Sequence, residues 1–348
     1  MSVEVSDFAE FHDELRSVAA ELLAKDGAVG WQVLVDAGWT GLEIADEFGG
    51  AGATFTEVAV IAEELGRSAA ASSHLGGVVL PAGALRAVVA GGRRDGLLSG
   101  VATGELRSAV VLDGFRLRDG LLAGRAEFVC DAEGADRLLI VADDCDTTAG
   151  PVLVDVPATG DTGPTVTPQP VLDETRRLAV VAADGVRVDD AAVLRFGGDP
   201  AAAVAGVRDR AAVAVACDSI GLAEAMLAAT VSYAKVRHQF GRPIGSFQAV
   251  KHACADMLVQ LSVSRRLVSA AVRAVAQNSP DAQVATAMAK SHAGTAAVGI
   301  VGKAMQLHGG IGYTWESGVH VYLKRATLNR ALFGSPAAHR QRLAHRYR

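Results

Sequence analysis

Apolar residues recur at steps of four, three and four from Phe11 through Leu15 and Val18 to Leu22, the spacing of one helix face. A second helix is predicted to open at Thr54, because Thr54 and Glu57 form a Thr-x-x-Glu capping box ahead of the run Val58, Ile61, Leu65. From Ser72 to Gly104 the chain reads as further short helices, rich in Ala, Leu and Gly and broken at Pro81 and at Gly91–Gly92. The period then changes. The runs Ser108–Leu112, Gly120–Phe128, Arg137–Ala142, Val152–Val156, Leu178–Ala183 and Val186–Asp189 are short and β-type, with Gly, Pro and Asp between them. A loop is predicted over Pro157–Pro170. Beyond Pro200 long helices are predicted over Ala201–Val236, Ile244–Gln277 and Pro280–Leu307, and a shorter one over Val319–Ala331. Ser279-Pro280-Asp281 is a helix start, with Ser as N-cap, Pro in the first turn and Asp at the positive end of the dipole. The periodicity thus predicts an α+β, mainly α chain. An N-terminal helical domain (residues 1–105) precedes a small β domain (106–198) and an antiparallel helical bundle (199–348).

Composition narrows the classes of function. The 348 residues are 50% hydrophobic and 21% charged, as in a globular protein of more than one domain. With 33 Lys+Arg against 39 Asp+Glu and no long basic run, a nucleic-acid surface has little support. The longest apolar stretch, Ala211 to Thr230, contains Asp218 and Glu224, so no membrane span is expected. Glu4, Asp7 and Glu10 stand where a signal peptide is basic, and no apolar h-region follows, which makes a cytoplasmic location the expectation. Cys130, Cys145, Cys217 and Cys254 are too far apart for a Cys-x-x-Cys pair and read as reduced and structural.

Two segments could carry chemistry. In Arg237-His238-Gln239-Phe240-Gly241-Arg242-Pro243-Ile244 a helix is predicted to end at Gly241 and another to begin after Pro243. The segment is either an interhelical corner with Phe240 packed inside, or an anion clamp in which a guanidinium forks onto two phosphate oxygens. In Gln306-Leu307-His308-Gly309-Gly310-Ile311-Gly312 the glycines are either a helix C-cap or a place where backbone amides come close to a phosphate. His292, His308, His320 and His339 lack metal-ligand spacing with a third carboxylate ligand, so no metal is expected. No Gly-x-Ser-x-Gly elbow occurs, and Cys217 and Cys254 lie inside helical runs, so hydrolase chemistry is not indicated.

Taken together these pieces resemble the acyl-CoA dehydrogenase family. Asp36-Ala37-Gly38-Trp39 through Asp46-Glu47-Phe48-Gly49-Gly50-Ala51-Gly52 looks like its Gly-Trp segment and the Glu-Phe-Gly-Gly-x-Gly turn. Tyr233 with Arg237-x-x-Phe240-Gly241-x-x-Ile244 and Gln248 matches one bundle signature, and Gln306-x-x-Gly309-Gly310-x-Gly312-Tyr313 with Glu316 matches another. The resemblance implies a C-terminal four-helix bundle and an FAD whose adenosine and pyrophosphate part is held by the bundle, the flavin being held by a neighbouring subunit's β domain. Carried over, Arg237, Gln239, Phe240, Gln248, Gln306, Gly309 and Gly310 become cofactor contacts across a subunit interface. Acyl-CoA thioesters become the substrate class and an electron-transfer flavoprotein the electron acceptor.

Two departures shape the expectation. The family's Thr-Glu-Pro-Gly-x-Gly-Ser-Asp type loop and Trp-x-Thr/Ser strand, which face the flavin, belong between Leu106 and Asp136. The region instead reads Arg107-Ser108-Ala109-Val110-Val111-Leu112-Asp113-Gly114 and later Glu127-Phe128-Val129-Cys130. The two family positions for the base that takes the α-proton hold Phe333 and Ala211, and neither residue accepts a proton. Asp209 is near the second, but two residues rotate a helical side chain by about 200°, so it is either a displaced base or a solvated first-turn residue. No catalytic residue is therefore assigned in this chain. Features serving a neighbour's FAD are intact, whereas those serving the chain's own flavin are missing. This points to a subunit of an α2β2 acyl-CoA dehydrogenase, of the kind that acts on bulky thioesters such as steroid side chains. A homotetramer with a relocated base and a non-catalytic scaffold are the competing readings.

Overall fold

The computed structural model describes residues 5–24, 28–160 and 163–346. The chain folds into two compact units. Val29–Val58 and Ser72–Ala211 form one; Met1–Ala28, Ala59–Ala71 and Ala212–Arg348 form the other, which is helical. In chain order the α-helices are α1 (Val5–Leu23), α2 (Trp31–Asp36), α3 (Phe55–Arg67), α4 (Leu80–Ala87), α5 (Gly92–Thr103), α6 (Pro200–Val236), α7 (Gln248–Ala276), α8 (Ala282–His308), α9 (Val319–Ala331) and α10 (Pro336–Arg346). The fold is α+β and mainly α.

The first unit is built on a seven-stranded sheet: β1 (Ser108–Arg118), β2 (Leu121–Cys130), β3 (Arg137–Asp144), β4 (Pro151–Pro157), β5 (Thr165–Pro168), β6 (Leu178–Arg187) and β7 (Val193–Arg195). Their spatial order is β5-β6-β2-β1-β3-β4-β7, and all neighbours are antiparallel except β1 with β3. Alternate residues such as Val111, Phe115, Leu122, Leu138, Ile140, Val154 and Val181 form its buried core. β1 and β2 are joined by Asp119–Gly120 alone, both with positive φ (50° and 68°), the two-residue turn that matches the twist of a hairpin. Leu178–Ala183 and Val186–Asp189, read as separate runs, largely merge into the single strand β6. Part of the expected loop is the edge strand β5, where Pro168 is tolerated because an edge residue need not donate to a ladder. Pro81 ends nothing: a π turn over Leu75–Val79 runs straight into α4, and the proline sits at that junction.

In the helical unit α3 and α6 approach at Gly66 and Gly221, where an added Cβ would lie 2.0 Å from the Asp218 carbonyl and 1.9 Å from the Glu63 carbonyl respectively. Only glycine permits that crossing. Beside it Arg325 of α9 donates to Asp218 of α6 (3.0 and 2.5 Å) and to the Ala70 carbonyl (2.7 Å), and Asn329 donates to the same carboxylate (2.6 Å). All three side chains are buried, so each charge is desolvated but fully paired. α6 is long and apolar enough to cross a membrane, yet 83% of its apolar window is buried inside the fold. The predicted face of α1 is half right: Phe11 and Val18 are exposed, and burial falls on Ala19 and Leu23. α8 starts at Ala282, not Pro280, with the Asp281 amide donating to Ser279 Oγ (3.3 Å) in the turn before it.

Candidate cofactor site

α6 stops at Val236, where the periodicity ends it and short of the Gly241 suggested by the motif segment, because the chain turns into a small hairpin. His238–Gln239 pairs antiparallel with Arg242–Pro243, and the intervening Phe240 and Gly241 both have positive φ (53° and 75°). Two left-handed residues in a two-residue loop make a type I′ turn, which favours Asn or Gly at its first position. Phe240 there is 90% exposed, so it is not the packed core of a corner. Its ring meets Phe247 edge-on at 6.1 Å, and the Arg242 guanidinium lies 4.2 Å from the Phe247 ring centroid.

The second segment closes the same site from α8. The helix ends at His308, Gly309 takes φ 62°, and Gly309–Tyr313 forms a 3-10 turn. Nothing lies within 4 Å of where a Cβ would stand on Gly309 or Gly310, so both faces are open. His308 Nδ1 is 2.8 Å from the Ala304 carbonyl, which can only accept; this fixes the proton on Nδ1 in the neutral ring. The imidazole stacks on Tyr233 (4.6 Å between centroids, 20° between planes), tying α6 to the end of α8.

Between the segments lies a cavity of about 580 Å³. Arg237, Gln239, Phe240, Gln306, Gly309 and Gly310 all line it. Gln248, the exposed first residue of α7, does not; Phe247 and Val250, one residue before and two after it, line the wall instead. Tyr233, Ile244, Leu307, His308 and Ile311 complete the lining, and of these His308 carried no sequence signal for this site beyond its place between Gln306 and Gly309. Among the described residues the Arg237 guanidinium has no hydrogen-bond or ion-pair partner, and the group is exposed. The Gly309 amide caps α8 by donating to the Gln306 carbonyl; an unneutralised cation beside the uncrowded backbone of Gly309 and Gly310 and an aromatic wall is suited to a phosphate attached to a flat, apolar ring system.

The base positions are different in kind. Ala211 is fully buried in α6, and Phe333 is half-buried with φ 54°. Asp209 is 3% exposed and lies in the third turn of α6, so it is not a solvated first-turn residue. Its neighbour Arg210 is buried in an ion pair with Glu43, which also pairs with Arg86; the Arg210 guanidinium packs 4.3 Å from the Phe55 ring centroid, and burial pushes it down to about 9. At the end of β2 the Phe128 amide donates to Gln169 Oε1 (2.7 Å), and Val129 and Cys130 are buried. Gly76 of the π turn rests on the Cys130 carbonyl, where a Cβ would stand at 2.5 Å, and its amide donates to Asp131 Oδ2 (2.9 Å). Burial pushes the Cys130 thiol up to about 12. The backbone of this strand end is thus committed within its own unit, while the Phe128 ring, at φ 57°, stays 50% exposed.

Comparison with known proteins agrees with this layout. The acyl-CoA dehydrogenase N-terminal domain matches residues 3–105 and the C-terminal domain residues 204–347. The chain is 33% identical to acyl-CoA dehydrogenase IpdE2 of Mycolicibacterium smegmatis over 314 residues, covering 90% of this chain and 86% of that one. Among solved structures it resembles the Tcur3481-Tcur3483 steroid ACAD (27% identity, TM-score 0.86, 97% of both chains). It also resembles the ChsE4-ChsE5 complex of Mycobacterium tuberculosis (25% identity, TM-score 0.85, 100% of this chain and 98% of that one).

Proposed function

Because this chain belongs to the acyl-CoA dehydrogenase family of FAD-dependent oxidoreductases, we propose that it is one subunit type of a heteromeric enzyme, supplying the adenosine side of an FAD site completed by a homologous chain. The observation that carries this reading is the contrast between an open half-site and a closed one. Arg237 is unpaired at the cavity and would fork onto pyrophosphate oxygens, with the uncrowded Gly309–Gly310 backbone and the Gln239 and Gln306 side chains beside it. Ile244, Phe247 and Val250 form an apolar wall suited to an adenine. The bundle residues therefore fit the adenosine and pyrophosphate part of FAD. The strand end at Phe128–Cys130 does not fit an isoalloxazine ring, since its amide and thiol are already committed to Gln169 and to burial.

When bound, FAD supplies the acceptor for the hydride that leaves the acyl β-carbon. Removal of the α-proton needs a carboxylate, and Phe333 and Ala211 offer none. The partner chain is therefore assigned both the flavin cradle and the base. The likeness to the two-component ChsE4-ChsE5 and Tcur3481-Tcur3483 proteins supports an α2β2 assembly, and the word steroid attached to the latter supports a bulky acyl-CoA substrate such as a steroid side-chain thioester. Electrons would pass on to an electron-transfer flavoprotein.

The test is FAD retention by the complex purified with its homologous partner. Arg237→Ala removes the charge-assisted phosphate contact, worth about 1.5–3 kcal/mol, and FAD affinity is expected to fall at least tenfold with the assembly mass unchanged. A scaffold that keeps the fold without flavin would be indifferent to the change. Equal FAD content in both proteins would end the shared-site reading.

A further inference from the structure

On the two chain segments that flank the cavity, exposed side chains are apolar where a free surface is usually polar. Val236 is 71% exposed, Ile311 50%, Tyr313 70% and Trp315 73%. Trp315 is held without being buried. Its ring meets His320 edge-on at 4.4 Å, and Lys324 Nζ lies 5.1 Å from its centroid. The backbone beneath is fixed as well: the Thr314 amide and hydroxyl both donate to the Ile311 carbonyl, the Ser317 hydroxyl to the Thr314 carbonyl and the Gly318 amide to the Trp315 carbonyl. The result is a rigid aromatic ledge that begins in the cavity wall at Ile311 and runs outward.

We propose that Tyr313 and Trp315 are the anchor by which this chain binds its homologous flavin-bearing subunit. Pre-ordered aromatic side chains lose little entropy on docking, and truncating such residues at an interface commonly weakens binding by 2 kcal/mol or more, roughly thirtyfold. The neighbouring surface says what the partner must present. The unpaired Arg237 guanidinium calls for an anionic group, and the exposed aromatics near Ile311 call for an apolar pocket. A subunit carrying FAD at its own surface offers both together. The proposal rests on the shared-site reading above and names where the affinity between the two chains resides.

The experiment dilutes the complex of this chain with its homologue and reads the dissociation constant by mass photometry. Tyr313→Ser/Trp315→Ser is expected to raise that constant at least tenfold, while the melting temperature of the isolated chain stays put because side chains about 70% exposed contribute little to the fold. Leu172→Ser, an 83% exposed leucine of the other unit, serves as the control and is expected to change nothing. Dissociation of the ledge variant at wild-type concentration, or failure of the two wild-type chains to assemble, overturns the proposal. The Arg237→Ala protein separates the two ideas. FAD lost with assembly intact, alongside a ledge variant that assembles normally, would leave the shared cofactor site standing and remove only the anchor.

Discussion

Phe240 combines a left-handed backbone with a 90% exposed ring, so it is unfavourable both in conformation and in hydration. Such a residue is tolerated where something else needs it. Phe240→Asn keeps the type I′ turn and should stabilise the chain by about 1 kcal/mol, read as a higher urea midpoint, while reducing FAD retention by the complex. A midpoint that falls would show the turn to be unstrained. At this scale the lining of the cavity is largely legible in the sequence, because Arg237, Gln239, Gln306 and the glycines are residue types whose chemistry is local. Gln248 does not line the cavity, and no side-chain cap fixes the start of α7. Phe247 precedes the helix and Val250 is in its first turn, and it is these two that turn toward the cavity. The conformation of Phe240 could not be read, since nothing in a Phe-Gly pair announces a turn that usually takes Asn-Gly.

The elements show where periodicity is and is not informative. α9 was read to the residue, and α6 to within one residue at each end. The π turn and β5 were missed, the first because it continues a helical pattern and the second because it lies in a Pro-rich stretch. The stretch Arg107–Gly114, compared with the family's flavin-facing loop, is instead mostly continuous strand β1, which turns into β2 through Asp119-Gly120. The segment after α9 is rebuilt too. Lys290, buried in α8, donates to the carbonyls of Asn329 (2.8 Å), Arg330 (3.3 Å) and Gly334 (3.0 Å), capping α9 just where the family base would stand. His339 of α10 packs against Gly334 and lies 3.0 Å from the Phe333 carbonyl. Burial first, with Lys290 and Arg342 adding to it, pushes His339 down to about 4. The unfolded chain therefore binds a proton at this histidine between its ordinary value near 6.5 and 4, where the folded chain does not. Stability from this group is complete above about 6.5 and drains away toward pH 4, by up to about 3 kcal/mol. His339→Gln should flatten that acid limb. Unfolding free energies at pH 4.5 and 7.5 that differ equally in both proteins would refute the assignment.

For the whole molecule, the two units treat their polar groups differently where the proposed cofactor site would draw on each. In the helical unit the Arg237 guanidinium is left without a partner among the described residues, whereas in the other unit the strand end at Phe128–Cys130 spends its amide. Phe128 N–H goes to Gln169, Gly76 closes over the Cys130 carbonyl, and β1 passes to β2 through two residues. On the proposed reading, a subunit built this way completes a neighbour's site and does not host a flavin in its own sheet. Counting flavins therefore tests the architecture directly. A complex with the homologous chain should carry one FAD for each pair of different chains, and the chain purified alone should be colourless, because a site shared between subunits fills only on assembly. Flavin absorbance set against the assembly mass gives the ratio. Two FAD per pair would mean that the closed strand end opens in the complex, and a yellow, active chain on its own would return the search for the base to Asp209 and its surroundings.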